Sequence, residues 1–311
     1  MNDADTGGAV AAVCEPGGDA AATLTAAAAL ARALGTGLVA LAVVEPPSEL
    51  ARIAAAAGLA EATALDRLAD EARARLGGAA AGIDPTPAIE VRLGKPFLEI
   101  VRLAVARDLA WVVKTADAPA SALFASTDQH LLRKCPCPVW LRRPGDGAAP
   151  SRVVAAIDAE GEDQTGLNDR ILATAGRLAA LGGGPLYVVH AWEAPGEALV
   201  RRWASGPDVD AAAYRYTRSI RGRHEQALAR ALARAALPAG VSAEAELIDG
   251  LARDAVPAAV RRLGADCLVM GTLARTGVPG LIIGNTAEDI LNAVACPVVT
   301  VKPPGYETPV R

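Results

Sequence analysis

Short, nearly continuous apolar runs alternate along this chain with longer stretches in which apolar residues recur at helical spacing. In the first half, Ala9–Val13 reads as a buried strand, Ala20–Leu34 as an alanine-rich helix stopped by Gly35, and Leu38–Val44 as a second strand ended by Glu45-Pro46-Pro47. A long helix is predicted over about Glu49 to Leu76, with Gly58 the place where it would break. Ala88–Leu93 alternates as a third strand, followed by a helix over Phe97–Ala106, a strand at Leu109–Val113, a helix over Asp128–Lys134 and a last strand at Pro138–Leu141. Apolar strands that alternate with helices predict an α/β fold, a parallel sheet covered on both faces. Right-handed crossovers make such a unit an open, doubly wound layer.

The second half repeats the order. Strands are predicted at Arg152–Ile157, Pro185–His190, Ala243–Ile248 and Cys267–Met270, with helices over Asp169–Leu181, about Asp208 to Ala236, Ala255–Leu263 and Ala287–Val294. Thr127 through Val139 has the layout of Thr286 through Val298: a threonine opens a helix, and a Cys-Pro-Val triplet opens the final strand. The chain therefore reads as a tandem duplication, with domains at 8–143 and 151–303 joined by Pro144–Pro150, whose prolines and glycines break regular structure. Proline tolerates the first position of a strand, and an exposed sheet edge calls for cover. Val139–Leu141 and Val298–Val301 are thus expected to be outer strands that pair with each other.

Composition narrows the picture. With 311 residues and 52% hydrophobic content the chain can bury two ordinary cores, and with only 3% aromatic residues these should be small and aliphatic. A net charge of −4 argues against a protein that binds nucleic acid by neutralising phosphate. The acidic stretch Met1–Gly8 lacks the basic and apolar regions of a signal peptide. No apolar run approaches the roughly 20 residues that span a bilayer. The expectation is a soluble cytoplasmic protein with no membrane or nucleic-acid partner. The cysteines are Cys14, Cys135, Cys137, Cys267 and Cys296, an odd set without a disulfide framework. Cys135-Pro136-Cys137 invites a metal or redox reading, but no second cysteine pair or histidine pair completes a site, which favours small buried residues at a strand start.

The chemistry concentrates at Gly271–Thr286. A strand, a glycine-rich loop and a helix opening at Gly284-Asn285-Thr286 form an arrangement that holds phosphate. Glycine lets the backbone approach an anion closely, and the first-turn N–H groups point at it. In open α/β sheets the ligand lies beyond the carboxyl ends of the strands, where Asp158, His190, Ala191 and Gly271 fall.

These residues resemble the universal stress protein family. Its loop pattern is Gly, two residues, Gly, nine residues, then Gly with Ser or Thr, and Gly271 through Thr286 looks like it, with Gly271 and Gly284 at the first and last glycine positions. The duplication, His130–Pro136, the Gly-Asn-Thr-Ala-Glu block at 284–288 and the ending at Tyr306–Val310 resemble its tandem, two-domain E type. The resemblance implies an adenine nucleotide alpha hydrolase-like fold: two five-stranded sheets in strand order 3-2-1-4-5, packed as a pseudo-dimer. A homodimer remains open. It also implies adenine-nucleotide contacts, in the second half, at Asp158, Ala191, Met270, Gly271, Gly284, Asn285 and Thr286. Ala274 stands where the family has its second glycine, placing a Cβ where the backbone would pass a phosphate. Asn285 replaces the usual serine or threonine. The first half departs further, with Lys114 taken as the counterpart of Gly271, Ala125 as that of Gly284, and Cys14-Glu15 as that of Ile157-Asp158.

Other candidates are weaker. His190 reads as a polar residue at the crevice rim rather than a catalytic base, since neither half shows a triad arrangement. His130 and His224 read as surface helix residues, and Arg215, Arg218 and Arg221 as a solvated helix face. The function expected is a cytoplasmic stress-response protein that binds ATP or another phosphate-bearing molecule in its second half and acts through protein partners. The alternatives are a weak ATP-hydrolysing enzyme of the same fold and a ligand-free interaction scaffold.

Overall fold

A computed structural model describes residues 8–116, 126–160, 166–204, 208–272 and 284–310. In the first half, β1 (Val10–Val13), β2 (Leu38–Val44), β3 (Ala88–Leu93), β4 (Trp111–Thr115) and β5 (Val139–Arg142) alternate with α1 (Ala20–Leu34), α2 (Leu50–Ala56), α3 (Glu61–Ala79), α4 (Pro96–Ala106) and α5 (Ser126–Lys134). In the second, β6 (Val153–Ala156), β7 (Leu186–Trp192), β8 (Ala243–Asp249), β9 (Cys267–Gly271) and β10 (Val298–Val301) alternate with α6 (Leu167–Gly182), α7 (Glu197–Trp203), α8 (Val209–Arg234), α9 (Ala252–Leu263) and α10 (Asn285–Ala293). Local signals account for many boundaries. Asp19 accepts a hydrogen bond from the Ala22 N–H at 2.9 Å and starts α1, and Gly35, left-handed at φ 67°, ends it. The long helix expected over Glu49 to Leu76 is two helices, because Gly58 takes φ 69° between them.

The described strands form one ten-stranded sheet in the order β3-β2-β1-β4-β5-β10-β9-β6-β7-β8. Each half keeps the order 3-2-1-4-5 with parallel neighbours, and β5 and β10 join the halves antiparallel, Trp140 opposite Val299. This is the pseudo-dimer, and the expected edge-to-edge pairing makes it. The cores follow the faces of the sheet, not the halves. On one face Val10, Ala12, Trp111, Val153 and Ala155 meet Leu24 and Leu30 of α1, Leu76 of α3, Leu172 of α6 and Leu228 of α8. On the other, Ala11, Val13, Val154 and Met270 meet Ile100 of α4, Leu131 of α5, Val260 of α9 and Ile290 of α10. Both layers continue across the joint, so the halves share cores instead of each closing its own.

Polar groups lock the joint from both sides. Lys302, 2% exposed, donates from Nζ to the Leu132 carbonyl at 2.6 Å and also to Thr272 Oγ1. Thr272 Oγ1 donates to the same carbonyl at 3.2 Å, and Tyr306 donates its hydroxyl to the Arg133 carbonyl at 3.0 Å. The counterpart of Lys302 in the first half, Arg143, donates to the Val294 carbonyl after α10 at 3.3 Å. Each half thus sends a cation to the carbonyl end of the other's last helix, where the helix dipole is negative.

Lys302 gives a pH signature. Burial pulls its ammonium down from 10.5 to about 7. Between those values the unfolded chain holds more protons than the folded one, so stability rises with pH, by roughly 1–2 kcal/mol between pH 7 and about 8.5. Above the ordinary thiol value of 9.0 the sign reverses, since burial pushes Cys14 up to about 12 and Cys296 up to about 11, leaving the folded state with the extra protons. The melting temperature should climb between pH 7 and about 8.5 in the native chain and stay level in Lys302→Met. Equal slopes for the two proteins would show that Lys302 carries no such charge cost.

Candidate functional site in the second half

Strands β9, β6 and β7 are neighbours, with Ala156 facing Met270 on one side and Val189 on the other. Their carboxyl ends lie together. Asp158 follows β6, half-buried, and its carbonyl accepts a hydrogen bond from Asn168 Nδ2 at 2.8 Å. Ala191 sits half-buried near the end of β7, opposite Ile248. Gly271 ends β9, and a Cβ there would come within 3.0 Å of Leu167 Cδ2, so the position has little room for a side chain. Gly284 caps α10 in an extended conformation, φ −60° and ψ 138°, and its N–H donates to the Thr272 carbonyl at 3.2 Å. That bond ties the start of α10 to the end of β9. Asn285 and Thr286 are exposed in the first turn, with the positive end of the helix behind them. Met270 is 4% exposed and packs its side chain into the core, leaving only backbone for a ligand. Ala274 lies outside the described residues.

The first half shows what this place becomes when it is filled from within. Val13 faces Lys114 as Ala156 faces Met270, so Lys114 is the counterpart of Met270, and Thr115, not Lys114, that of Gly271. Lys114 is 0% exposed, with Nζ 3.1 Å from Glu15 Oε1 and 2.9 Å from Asp128 Oδ1. Glu15 occupies the place of Asp158, and Asp128 lies in the first turn of α5. The protein's own cation and two carboxylates hold the helix start here. Beside them a cavity of about 190 Å³ remains at the carboxyl ends of β1 and β2, lined by Cys14, Glu15, Gly17, Val44, Ala72 and Leu76.

The duplicated sheet and its strand order agree with comparison to known proteins. The model of the universal stress protein family matches residues 12–143 and again residues 151–302. The chain belongs to the universal stress protein family. It is 28% identical to universal stress protein E of Escherichia coli K12 over 234 residues, covering 72% of this chain and 71% of that protein. A universal stress protein from Archaeoglobus fulgidus DSM 4304 superposes with a TM-score of 0.62 at 18% identity, over 95% of this chain and 96% of that one. A protein of unknown function from Pseudomonas aeruginosa PAO1 does so with a TM-score of 0.65 at 23% identity, over 95% and 92%. Both solved structures share the fold.

In this universal stress protein the histidines differ from their sequence reading. His190 is not at the rim but 2% exposed, and His224 is not on the surface but 7% exposed. His190 Nε2 lies 2.8 Å from His224 Nδ1, and His224 Nε2 lies 3.1 Å from Glu160 Oε2. Burial, more than the nearby His224, holds the His190 imidazole below its usual value. His130 is half-buried and stacks on Phe97, ring centroids 4.3 Å apart. Arg215, Arg218 and Arg221 are exposed, as a solvated helix face should be. Cys135 and Cys137 are buried free thiols with Sγ atoms 3.5 Å apart, and no third metal ligand joins them among the described residues. Among those residues no helix is long and apolar enough to cross a membrane.

Proposed function

We propose that the second half of this universal stress protein binds a phosphate-bearing, nucleotide-like molecule at the β9–β6–β7 edge, with the first half as its structural partner. The chain then acts in the cytoplasm, in stress response, through proteins that read the ligand state. The observation that carries this reading is the contrast at one topological position. The first half holds its helix start with Lys114, Glu15 and Asp128. The second has the uncharged Met270 and a glycine cap, with Asn285 and Thr286 exposed beside it. A helix start of that kind attracts an anion. Asp158, just beyond the middle strand, would meet the sugar or base of a ligand whose phosphates lie at Gly284 to Thr286.

Titration calorimetry of the full chain with ATP should give one site per chain, and phosphate release in the same solution reports any hydrolysis. Two sites per chain would contradict a first half closed by Lys114. No heat and no competition by AMP, ADP or inorganic phosphate would leave the scaffold reading in its place.

A further inference from the structure

The four residues that leave β6, Ile157 to Glu160, are held at both ends by the buried histidine pair. His190 Nδ1 lies between two backbone groups of opposite kind, 3.2 Å from the Ile157 carbonyl oxygen and 3.4 Å from the Ala159 nitrogen. One ring nitrogen cannot donate to the carbonyl and accept from the N–H at the same time. Asp158 sits between these two competitors.

Two proton arrangements fit the distances. In the first, both rings are neutral: Ala159 N–H donates to His190 Nδ1, His190 Nε2–H donates to His224 Nδ1, and His224 Nε2–H donates to the Glu160 carboxylate. In the second, one more proton is present. The Nε2 proton of His190 has passed to His224 Nδ1 along the 2.8 Å contact, and a proton from solvent sits on His190 Nδ1 and is donated to the Ile157 carbonyl. His190 is neutral in both arrangements and only its tautomer changes. The charge rests on His224, against Glu160.

We propose that this pair is a proton-driven switch on the ligand site, in which uptake of one proton exchanges the hold of His190 on Ala159 for a hold on Ile157, resets Asp158 and weakens ligand binding. The part concerning the ligand rests on the reading of the site proposed above; the ring chemistry does not.

The surroundings favour this distribution of charge. Burial resists a charged His190, whereas a charged His224 would sit 3.1 Å from Glu160, whose side chain is 41% exposed. Among the described residues Arg223 of α8 also approaches Glu160, at 3.7 Å, and Asp158 belongs to the same loop. β7 adds the Trp192 ring, 5.8 Å from His224, and α6 adds the uncharged Asn168, which holds the Asp158 carbonyl. The neutral, ligand-ready arrangement holds one proton fewer than the other, so it is the one that rising pH favours.

The chain has 3 histidines, so ring ¹⁵N NMR of histidine-labelled full-length protein can follow each one. His190 should carry its proton on Nε2 above about pH 7.5 and on Nδ1 below about pH 5.5, neutral throughout, while His224 becomes the imidazolium. The transition should move down by roughly one pH unit in Glu160→Gln, a half-exposed site whose substitution leaves the core untouched. A His190 that keeps one tautomer, or that itself becomes charged, overturns the switch. ATP affinity should fall at least threefold from about pH 7.5 to about pH 5.5, and the fall should shift in parallel in Glu160→Gln, which separates it from titration of ATP itself. A tautomer change that leaves affinity level overturns the link to the site. If ATP binds at neither pH, the ligand reading falls, and the ring spectra still decide the switch.

Discussion

Replacing Lys114 with methionine should destabilise the chain by about 3–5 kcal/mol, the range found when one partner of a buried ion pair is removed. The side chain is 0% exposed, and so is that of Asp128, its partner at 2.9 Å. Without the ammonium, Asp128 keeps a carboxylate out of water beside a second carboxylate, Glu15. Glu15 is 25% exposed and water can take over part of its solvation, so Glu15→Gln should cost far less than Lys114→Met. The double variant Lys114→Met/Asp128→Asn should recover much of the loss, because cation and buried anion leave together and the volume is kept. A surface pair gives the contrast: Arg73 and Asp70 approach to 2.6 Å but are 56% and 74% exposed, and breaking that pair should leave the urea midpoint unchanged. Urea unfolding of the native chain and the four variants is the measurement. A Lys114→Met midpoint equal to that of the native chain would mean that the triad does not hold the first-half helix start.

The triad also shows where sequence reading ends. Leu38–Val44 is apolar throughout and nearly all buried, and Asp19 and Gly35 bracket α1, so these elements are legible residue by residue. The joint is legible as well, because Cys137-Pro138-Val139 and Cys296-Pro297-Val298 mark equivalent strand starts. The fourth strand is not. Its apolar run begins at Leu109, but Leu109 closes the turn after α4, its N–H donating to the Ala104 carbonyl at 3.0 Å, and the strand runs Trp111–Thr115. A strand that ends in lysine and threonine hides its end, and the shift makes Lys114 the counterpart of Met270 instead of Gly271. Helix α7 is invisible for another reason: none of its residues is buried, so no apolar stripe marks it. His190 and His224 lie 34 positions apart and meet only when α8 crosses β7. No local pattern reports such a contact, and an isolated histidine reads as a surface residue until its partner is in place.

Gly284→Asp should abolish ATP binding, by about 100-fold or more, with no loss of fold stability. The two outcomes separate because Gly284 is extended, φ −60° and ψ 138°, a conformation open to any residue. It is also the cap of α10, where aspartate ranks with the best residues and glycine slightly below it. The melting temperature should therefore hold or rise a little. Binding responds to different physics. A carboxylate at the cap can accept the first-turn N–H groups that a phosphate would use, and it places a negative charge beside the ligand's own. At about 5 Å and an effective dielectric near 20, that repulsion alone is roughly 3 kcal/mol, more than a factor of 100 in affinity. Gly284→Asn separates the two contributions: it competes for the same N–H groups without the charge, so it should lose part of the affinity, and raising the salt concentration should not restore that part. Calorimetry with ATP at two salt concentrations, alongside thermal melts, reads both. Full affinity in a stable Gly284→Asp protein would remove the α10 start from the site and send the phosphates elsewhere on the β9–β6–β7 edge.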